Sequence, residues 1–471
     1  MISKYAYLFL LIALSVNNTF SQTRVVRWGG PTDGANSPAL VSSLTGVTQI
    51  YSNDGAFAAL KMDGSVVTWG NSDSGGDSSS VASSLTSGVT QIHSNYRGFA
   101  ALKSDGSVVF WGYHQEDYTI GFSTVASSLT SGVTKIFTTL QGAFAAVKTD
   151  GSVFTWGDPY NGGNSASVSN SLTSGVTQIY SNDRVFVALK TDGSVVTWGK
   201  SSYGGNSASV SNSLTSGITQ IYSNPSAFAA VKTDGSVVTW GSSSYGGNSS
   251  SVASSLTSGV TQIYSTERAF AAVKTDGSVV TWGYSSYGGN SSSVASSLTS
   301  GVTKIYSQKA VFAALKSDGS VVTWGSNSTG GDSSSVASSL TSGVTQIYSN
   351  QRAFAALKTD GTVVTWGYRD FGDSSSVASS LTDVISITPA VTAFAALKSD
   401  GTVVTWGKDI SEIDYQNYDQ SVALNSGADS SLVASSLTDV ISITASFNYQ
   451  WPQTKSAFAA LKTDGSVVTW G

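Results

Sequence analysis

Cysteine is absent from the 471 residues and histidine occurs only twice, at His93 and His114. Thiolate nucleophiles and thiolate metal sites are therefore excluded, and a Ser-His-Asp relay would have to use one of two imidazoles. His93 stands where sister segments carry Tyr51, Tyr180, Tyr222 and Tyr264, on a stretch of strand-like pattern, and reads as a packing residue. His114, Glu116 and Asp117 fall together in the segment 112–122, GYHQEDYTIGF. One imidazole beside two carboxylates lacks the second His or Cys that a metal centre needs, so a solvated loop is expected there. Asn71 to Asp77 alternates oxygen ligands with glycine in the manner of a calcium loop. Its counterparts, such as 242–248, lose the carboxylates, so turn chemistry explains it better. Carboxylate pairs for glycoside hydrolysis could converge from distant segments, yet most acidic residues sit in one recurrent turn. The chain is read as a non-enzyme with no cofactor and no bound metal.

Recognition chemistry is better represented. Arg97, Arg184, Arg268 and Arg352 occupy one corresponding position in alternate segments, at spacings of 87, 84 and 84 residues. Planar guanidinium donors at such positions suit carboxylates, sulfated sugars or aromatic surfaces; growth by two-unit duplication with surface drift is the competing reading of the alternation. Tyr415, Tyr418, Phe447, Tyr449 and Trp451 lie outside the regular pattern, in two enlarged loops near the C-terminus. Exposed aromatics of this kind combine apolar area with polar handles and are enriched at protein and carbohydrate contacts; capping the end of the array is the competing reading of these five. Ten Lys, from Lys61 to Lys462, each precede by two residues one of ten Asp, from Asp63 to Asp464. Local charge pairing and turn formation are expected of them rather than an anion-binding ring.

The elements that must carry these residues follow from a repeat. The Trp of a Trp-Gly pair recurs at positions 28, 69, 111, 156, 198, 240, 282, 324, 366, 406 and 470, with a commonest spacing of 42 residues. A fixed period of this size implies a supersecondary unit that buries its apolar faces only by stacking on copies of itself. Within a unit, Ala56 to Lys61 and Ser65 to Trp69 alternate as strands around Asp63-Gly64, the signal for a tight hairpin. Pairing across a two-residue turn would set Leu60 opposite Val67 and Ala58 opposite Trp69, a small residue against the largest. Val47 to Ser52 supplies a third strand, and the Ser/Gly-rich stretch after Trp-Gly a weaker fourth. The expected fold is all-β, a repeat protein of the β-propeller type with about ten 42-residue units, as a closed ring or an open superhelix.

The string F-A-A-L-K-x-D-G-x-V-V-x-W-G, followed by x-S-x-Y-G-G at 242–247 and 284–289, resembles the regulator of chromosome condensation repeat. Together with the S-G-V that opens each unit and an export-like start, it looks closest to the secreted bacterial branch of that family, which includes a beta-lactamase-inhibiting propeller. The resemblance spans about residues 24–471 and implies a propeller built of blades. It also implies a clasp in which the strand at Val25 to Trp28 completes the last blade. Two departures stand out. The His that many family blades carry before the hairpin is replaced by Gly55, Arg97, Arg184, Ser226 and Arg268, and ten units exceed the usual seven.

Met1 to Ser21 has a basic start at Lys4, an apolar run and small residues at Thr19 and Ser21. It reads as a signal peptide, residues 1–21, ahead of a single repeat domain, 22–471, with no transmembrane segment in the mature chain. The net charge is −5, or −6 once Lys4 is removed, and only 11% of residues are charged. This weak acidic balance makes no case for nucleic acid. The function expected is a secreted or cell-surface scaffold binding an extracellular protein or glycan. The alternative is a structural component of a matrix, sheath or envelope, self-associating if the array is open; the family resemblance alone implies a third, an inhibitor of an extracellular enzyme.

Overall fold

The computed structural model describes residues 44–112, 125–407, 429–450 and 453–470, the side chains of residues 370 and 446–456 excepted. The expected signal peptide, residues 1–21, the expected strand at Val25 to Trp28, His114 with its carboxylates, Tyr415, Tyr418 and Trp451 lie outside the described residues. Among the described residues thirty strands, β1 to β30 in chain order, form ten three-stranded antiparallel sheets, each made of three consecutive strands. The protein is thus an all-β repeat protein of the propeller type. Two compact units divide it, Met1–Thr233 with Val238–Ser243, and Asp234–Val237 with Ser244–Gly471.

The first sheet shows why the sequence folds this way. Strands β1 (Val47–Ser52), β2 (Ala56–Lys61) and β3 (Val66–Gly70) are rich in β-branched and aromatic residues. The hairpin between β2 and β3 is longer than the expected two-residue turn. Gly64 N–H donates to the Lys61 carbonyl and Lys61 N–H to the Ser65 carbonyl, both at 2.9 Å, with Gly64 alone at a positive φ of 75°. That is a three-residue connection ending in a glycine bulge. A Cβ on Gly64 would lie 2.6 Å from the Gly88 backbone nitrogen, so glycine is required for space as well as for φ.

The bulge shifts the expected register by one residue. Leu60 pairs with Val66, Ala58 with Thr68, and Phe57, not Ala58, with Trp69. The Phe57 and Trp69 rings stack with centroids 5.3 Å apart. Each sheet therefore has one large face and one small face. In the first unit, Ala56, Ala58 and Leu60 of one sheet receive Ile92, Phe99 and Trp111 of the next. In the second unit, Ala269, Ala271 and Val273 receive Ile305, Phe312 and Trp324. Small does face large, but between sheets rather than across the hairpin.

Among the described residues no fourth strand joins these sheets. The Ser/Gly-rich stretch instead makes two short 3₁₀ turns, Ser72–Ser74 and Ser79–Leu85, whose Leu85 plugs the interface between the first two sheets. Glycine again permits the approach: Gly75 has φ 95°, and a Cβ there would meet the Phe99 ring at 2.8 Å. Its carbonyl accepts the Trp111 indole N–H at 3.1 Å, a bond repeated from Trp198 to Gly162, Trp240 to Gly204, Trp282 to Gly246 and Trp324 to Gly288. Each of these buried indoles thus has its polar atom satisfied by the preceding repeat's loop.

Candidate functional site

Each sheet has two chemically different ends. At the hairpin tips the charged groups are used up locally. Asp63 Oδ1 accepts the Ser65 N–H at 2.9 Å and the Ser65 hydroxyl at 2.6 Å, and the same pair of bonds recurs at Asp105, Asp150, Asp192, Asp234, Asp276, Asp318 and Asp464. The serine hydroxyl and then the serine amide hold the Asp63 carboxyl below the usual carboxylate range. The lysine two residues back adds a smaller lowering through its charge, but its ammonium bonds elsewhere. Lys103 Nζ donates to the Ser84 carbonyl at 3.0 Å, Lys148 to Ser128 at 3.0 Å and Lys190 to Ser171 at 3.0 Å. The carbonyl at the end of a 3₁₀ turn carries a partial negative charge and lies within reach of Nζ, whereas the carboxylate is already occupied by serine.

The opposite end is built from the turn between the first two strands and the loop after Trp-Gly. A side chain in the turn clamps the two together. Asn182 Oδ1 accepts the Arg184 N–H at 3.0 Å while its Nδ2 donates to the Tyr203 carbonyl at 2.9 Å. Asn350 holds Arg352 N–H at 3.0 Å and the Phe371 carbonyl at 2.8 Å, and Thr266 Oγ1 reaches the Tyr287 carbonyl at 2.8 Å. One small polar residue thereby places an arginine beside an aromatic ring.

In the first unit the guanidinium of Arg97 lies 4.7 Å from the Tyr96 ring centroid and that of Arg184 lies 5.1 Å from Tyr203, with Arg184 Nη1 donating to Asn161 Oδ1 at 3.3 Å. In the second unit Arg268 is surrounded by Tyr245 at 4.8 Å, Tyr287 at 5.2 Å and Tyr284 at 6.0 Å. Glu267 approaches Arg268 to 4.0 Å and Lys309 to 3.8 Å. Arg352 lies 5.4 Å from Tyr368 and 5.5 Å from Phe371. The four arginines predicted from spacing each lie over at least one aromatic ring; for Arg184, Arg268 and Arg352 the ring comes from a loop after Trp-Gly, and for Arg97 it is Tyr96 beside it in the turn. Their aromatic partners were missed, although a signal existed: Tyr284 and Tyr368 follow Trp-Gly directly and share the 84-residue spacing of Arg268 and Arg352.

The last sheet lengthens this same end. Phe447 and Tyr449 lie on β28 (Val440–Gln450), where they pair with Ser456 and Thr454 of β29 (Gln453–Lys462). That segment is an extension of the strand pair rather than the enlarged loop expected. His93 is largely buried opposite Ala100, its Nε2 without a hydrogen-bond partner, and burial pushes its pKa down. In the calcium-like loop, Asn71 Oδ1 accepts the Asp73 N–H and Asp77 Oδ1 the Ser79 N–H, each at 2.8 Å, which is turn geometry.

No family model and no curated protein matches the chain. Solved structures do resemble it at low identity. Prp20p of Saccharomyces cerevisiae, the yeast RCC1, is 14% identical over 53% of this chain and 74% of its own, with a TM-score of 0.29. The ectodomain of the Physcomitrella patens receptor kinase CR4 is 13% identical over 63% of this chain and 79% of its own, with a TM-score of 0.30. The computationally designed Ika8 protein is 14% identical over 68% and 96%, with a TM-score of 0.26. These are likenesses of repeat architecture; the fold assignment stands on the ten sheets themselves.

Proposed function

We propose that the chain is a non-catalytic, secreted or cell-surface binding scaffold that engages an extracellular protein or glycan through one end of its sheets. The observation that carries this reading is the contrast between the ends. Hairpin-tip charges are tied up by hydrogen bonds within the repeats, whereas the other end presents arginines and exposed rings, including Tyr160 at 77% and Tyr284 at 48% exposure. Rings of this kind are a minority of the surface and contribute disproportionately to binding. Inhibition of an extracellular enzyme is one form such protein binding takes.

The test is retention of extracellular proteins and envelope glycans from the same source on the immobilised chain, compared with the variant Arg184→Ala/Arg268→Ala/Arg352→Ala. Specific retention that the triple variant loses at unchanged melting temperature supports the reading; equal retention by both removes this end from it. The C-terminal aromatics Tyr415, Tyr418, Phe447, Tyr449 and Trp451 form a second proposed contact region, tested by Tyr449→Ser/Trp451→Ser in the same experiment. Export is tested by the N-terminus of the released protein. Gln22 is expected there, and an intact Met1 retained inside the cell counts against secretion.

One observation favours a structural role instead. Units with near-identical small and large faces stack by one repeated contact, and repetition of that kind extends into assemblies. Ordered polymers of the purified chain in electron micrographs support it, and monodisperse particles argue against it.

A further inference from the structure

Two modules in the second compact unit share one construction. In the first, Tyr284 meets Tyr287 edge-on, with ring centroids 5.8 Å apart and planes at 67°, and Arg268 lies by both rings. In the second, 84 residues on, Tyr368 meets Phe371 at 5.6 Å and 69°, with Arg352 by both rings. The inner aromatic is partly buried at Tyr287 and buried at Phe371, and its carbonyl is held by Thr266 or Asn350. The outer tyrosines remain 48% and 37% exposed. An edge-on contact fixes the ring plane, the exposure leaves part of each outer ring to solvent, and the guanidinium over it has more N–H donors than the ring can use.

We propose that Tyr284 with Arg268 and Tyr368 with Arg352 are two subsites for one acidic polysaccharide. This deepens, and rests on, the binding-scaffold reading. A sugar ring lays its C–H face on each phenol while a carboxylate or sulfate on the polymer takes the guanidinium N–H donors. The modules lie two sheets apart, so at about 10 Å per packed sheet the ligand spans roughly 20 Å. A monosaccharide cannot reach both, and a polymer that does gains from the second contact as an intramolecular event. Glu267 lies beside Arg268 and Lys309, whereas exposed Arg352 makes no salt bridge among the described residues.

The experiment is affinity electrophoresis of the full chain in gels containing polygalacturonate or dextran sulfate, with unsubstituted dextran as the uncharged control. Both acidic polymers are expected to retard the chain, dextran is not, and the retardation should weaken as salt rises. Tyr284→Ser and Tyr368→Ser should each lower affinity about tenfold and the double variant about 100-fold, as for two linked contacts. Arg352→Gln should flatten the salt dependence. If the double variant loses the wild-type melting temperature, Tyr368→Ser and Arg352→Gln decide alone. Equal retardation by dextran overturns the acidic specificity, and unchanged binding by the substituted chains overturns the site. Absence of retardation by every polymer overturns the proposal. In that case a protein retained through this end leaves the scaffold reading standing, and retention of nothing removes both.

Discussion

Protonation of His93 should make the second sheet acid-sensitive. The imidazole is buried where Tyr51 and Tyr180 stand in sister sheets, and burial depresses its pKa below the ordinary 6.5. In the window between the folded value and 6.5 the unfolded chain holds more protons. Stability therefore falls as pH drops through that window and is untouched above it. His93→Tyr should abolish this part of the pH dependence, read from melting temperatures between pH 7.5 and 5; an unchanged slope would refute the assignment. A second single-residue effect concerns Asp383, which adopts φ 58° at a position where eight other repeats, from Gly46 to Gly343, have glycine at φ 72° to 78°. The left-handed region costs a non-glycine residue about 1–2 kcal/mol, partly offset by the extra chain entropy that glycine loses. Asp383→Gly should accordingly stabilise by about 0.5–1 kcal/mol in urea unfolding.

The interface between neighbouring sheets is the energetic element. Trp240 is 2% exposed and packs with Phe228 against Val185, Val187 and Leu189. Its indole N–H is bonded to Gly204 at 3.1 Å. Trp240→Ala removes the ring and leaves that carbonyl without its donor, with an expected loss of about 3–5 kcal/mol in denaturant unfolding. Gly75→Ala acts on the same kind of interface from the other side. Its new Cβ would lie 2.8 Å from Phe99 at φ 95°, so it should be strongly destabilising, whereas an alanine at exposed Ser72 should be nearly neutral.

Across the whole molecule the recurrent turn carboxylates act in concert. Hydrogen bonds from the serine or threonine two residues on depress the pKa of Asp63, Asp105, Asp150, Asp192, Asp276, Asp318, Asp360, Asp400 and Asp464. A depressed carboxylate contributes stability above its unfolded pKa, near 3.8, and that stability is lost as pH falls through the folded value. These groups lie at the surface, so each contributes little and only their number makes the effect visible. Acid unfolding should set in below about pH 4. Replacing three turn aspartates by asparagine should flatten the transition, as followed by tryptophan fluorescence.

Period, strand type and the identity of the buried residues were legible in sequence because they depend on local chemistry. Alternation, β-branched residues and Asp-Gly recur with every copy, and a large Trp repeated at fixed spacing has to be buried. Register was not legible. The extra residue of the Gly64 bulge changes which side chain faces Trp69, and its choice depends on the close approach of Gly88 from the next repeat. The destination of the lysines was likewise decided in space, since Lys103 reaches a carbonyl 19 residues back that comes near only once the 3₁₀ turn docks. Spacing alone picked out Arg268 and Arg352, but their aromatic surroundings come from loops 16 to 23 residues away in sequence that Thr266 and Asn350 help hold in place. Local rules reach as far as the strand and its turn; contacts between turns and loops are settled only when the sheets pack.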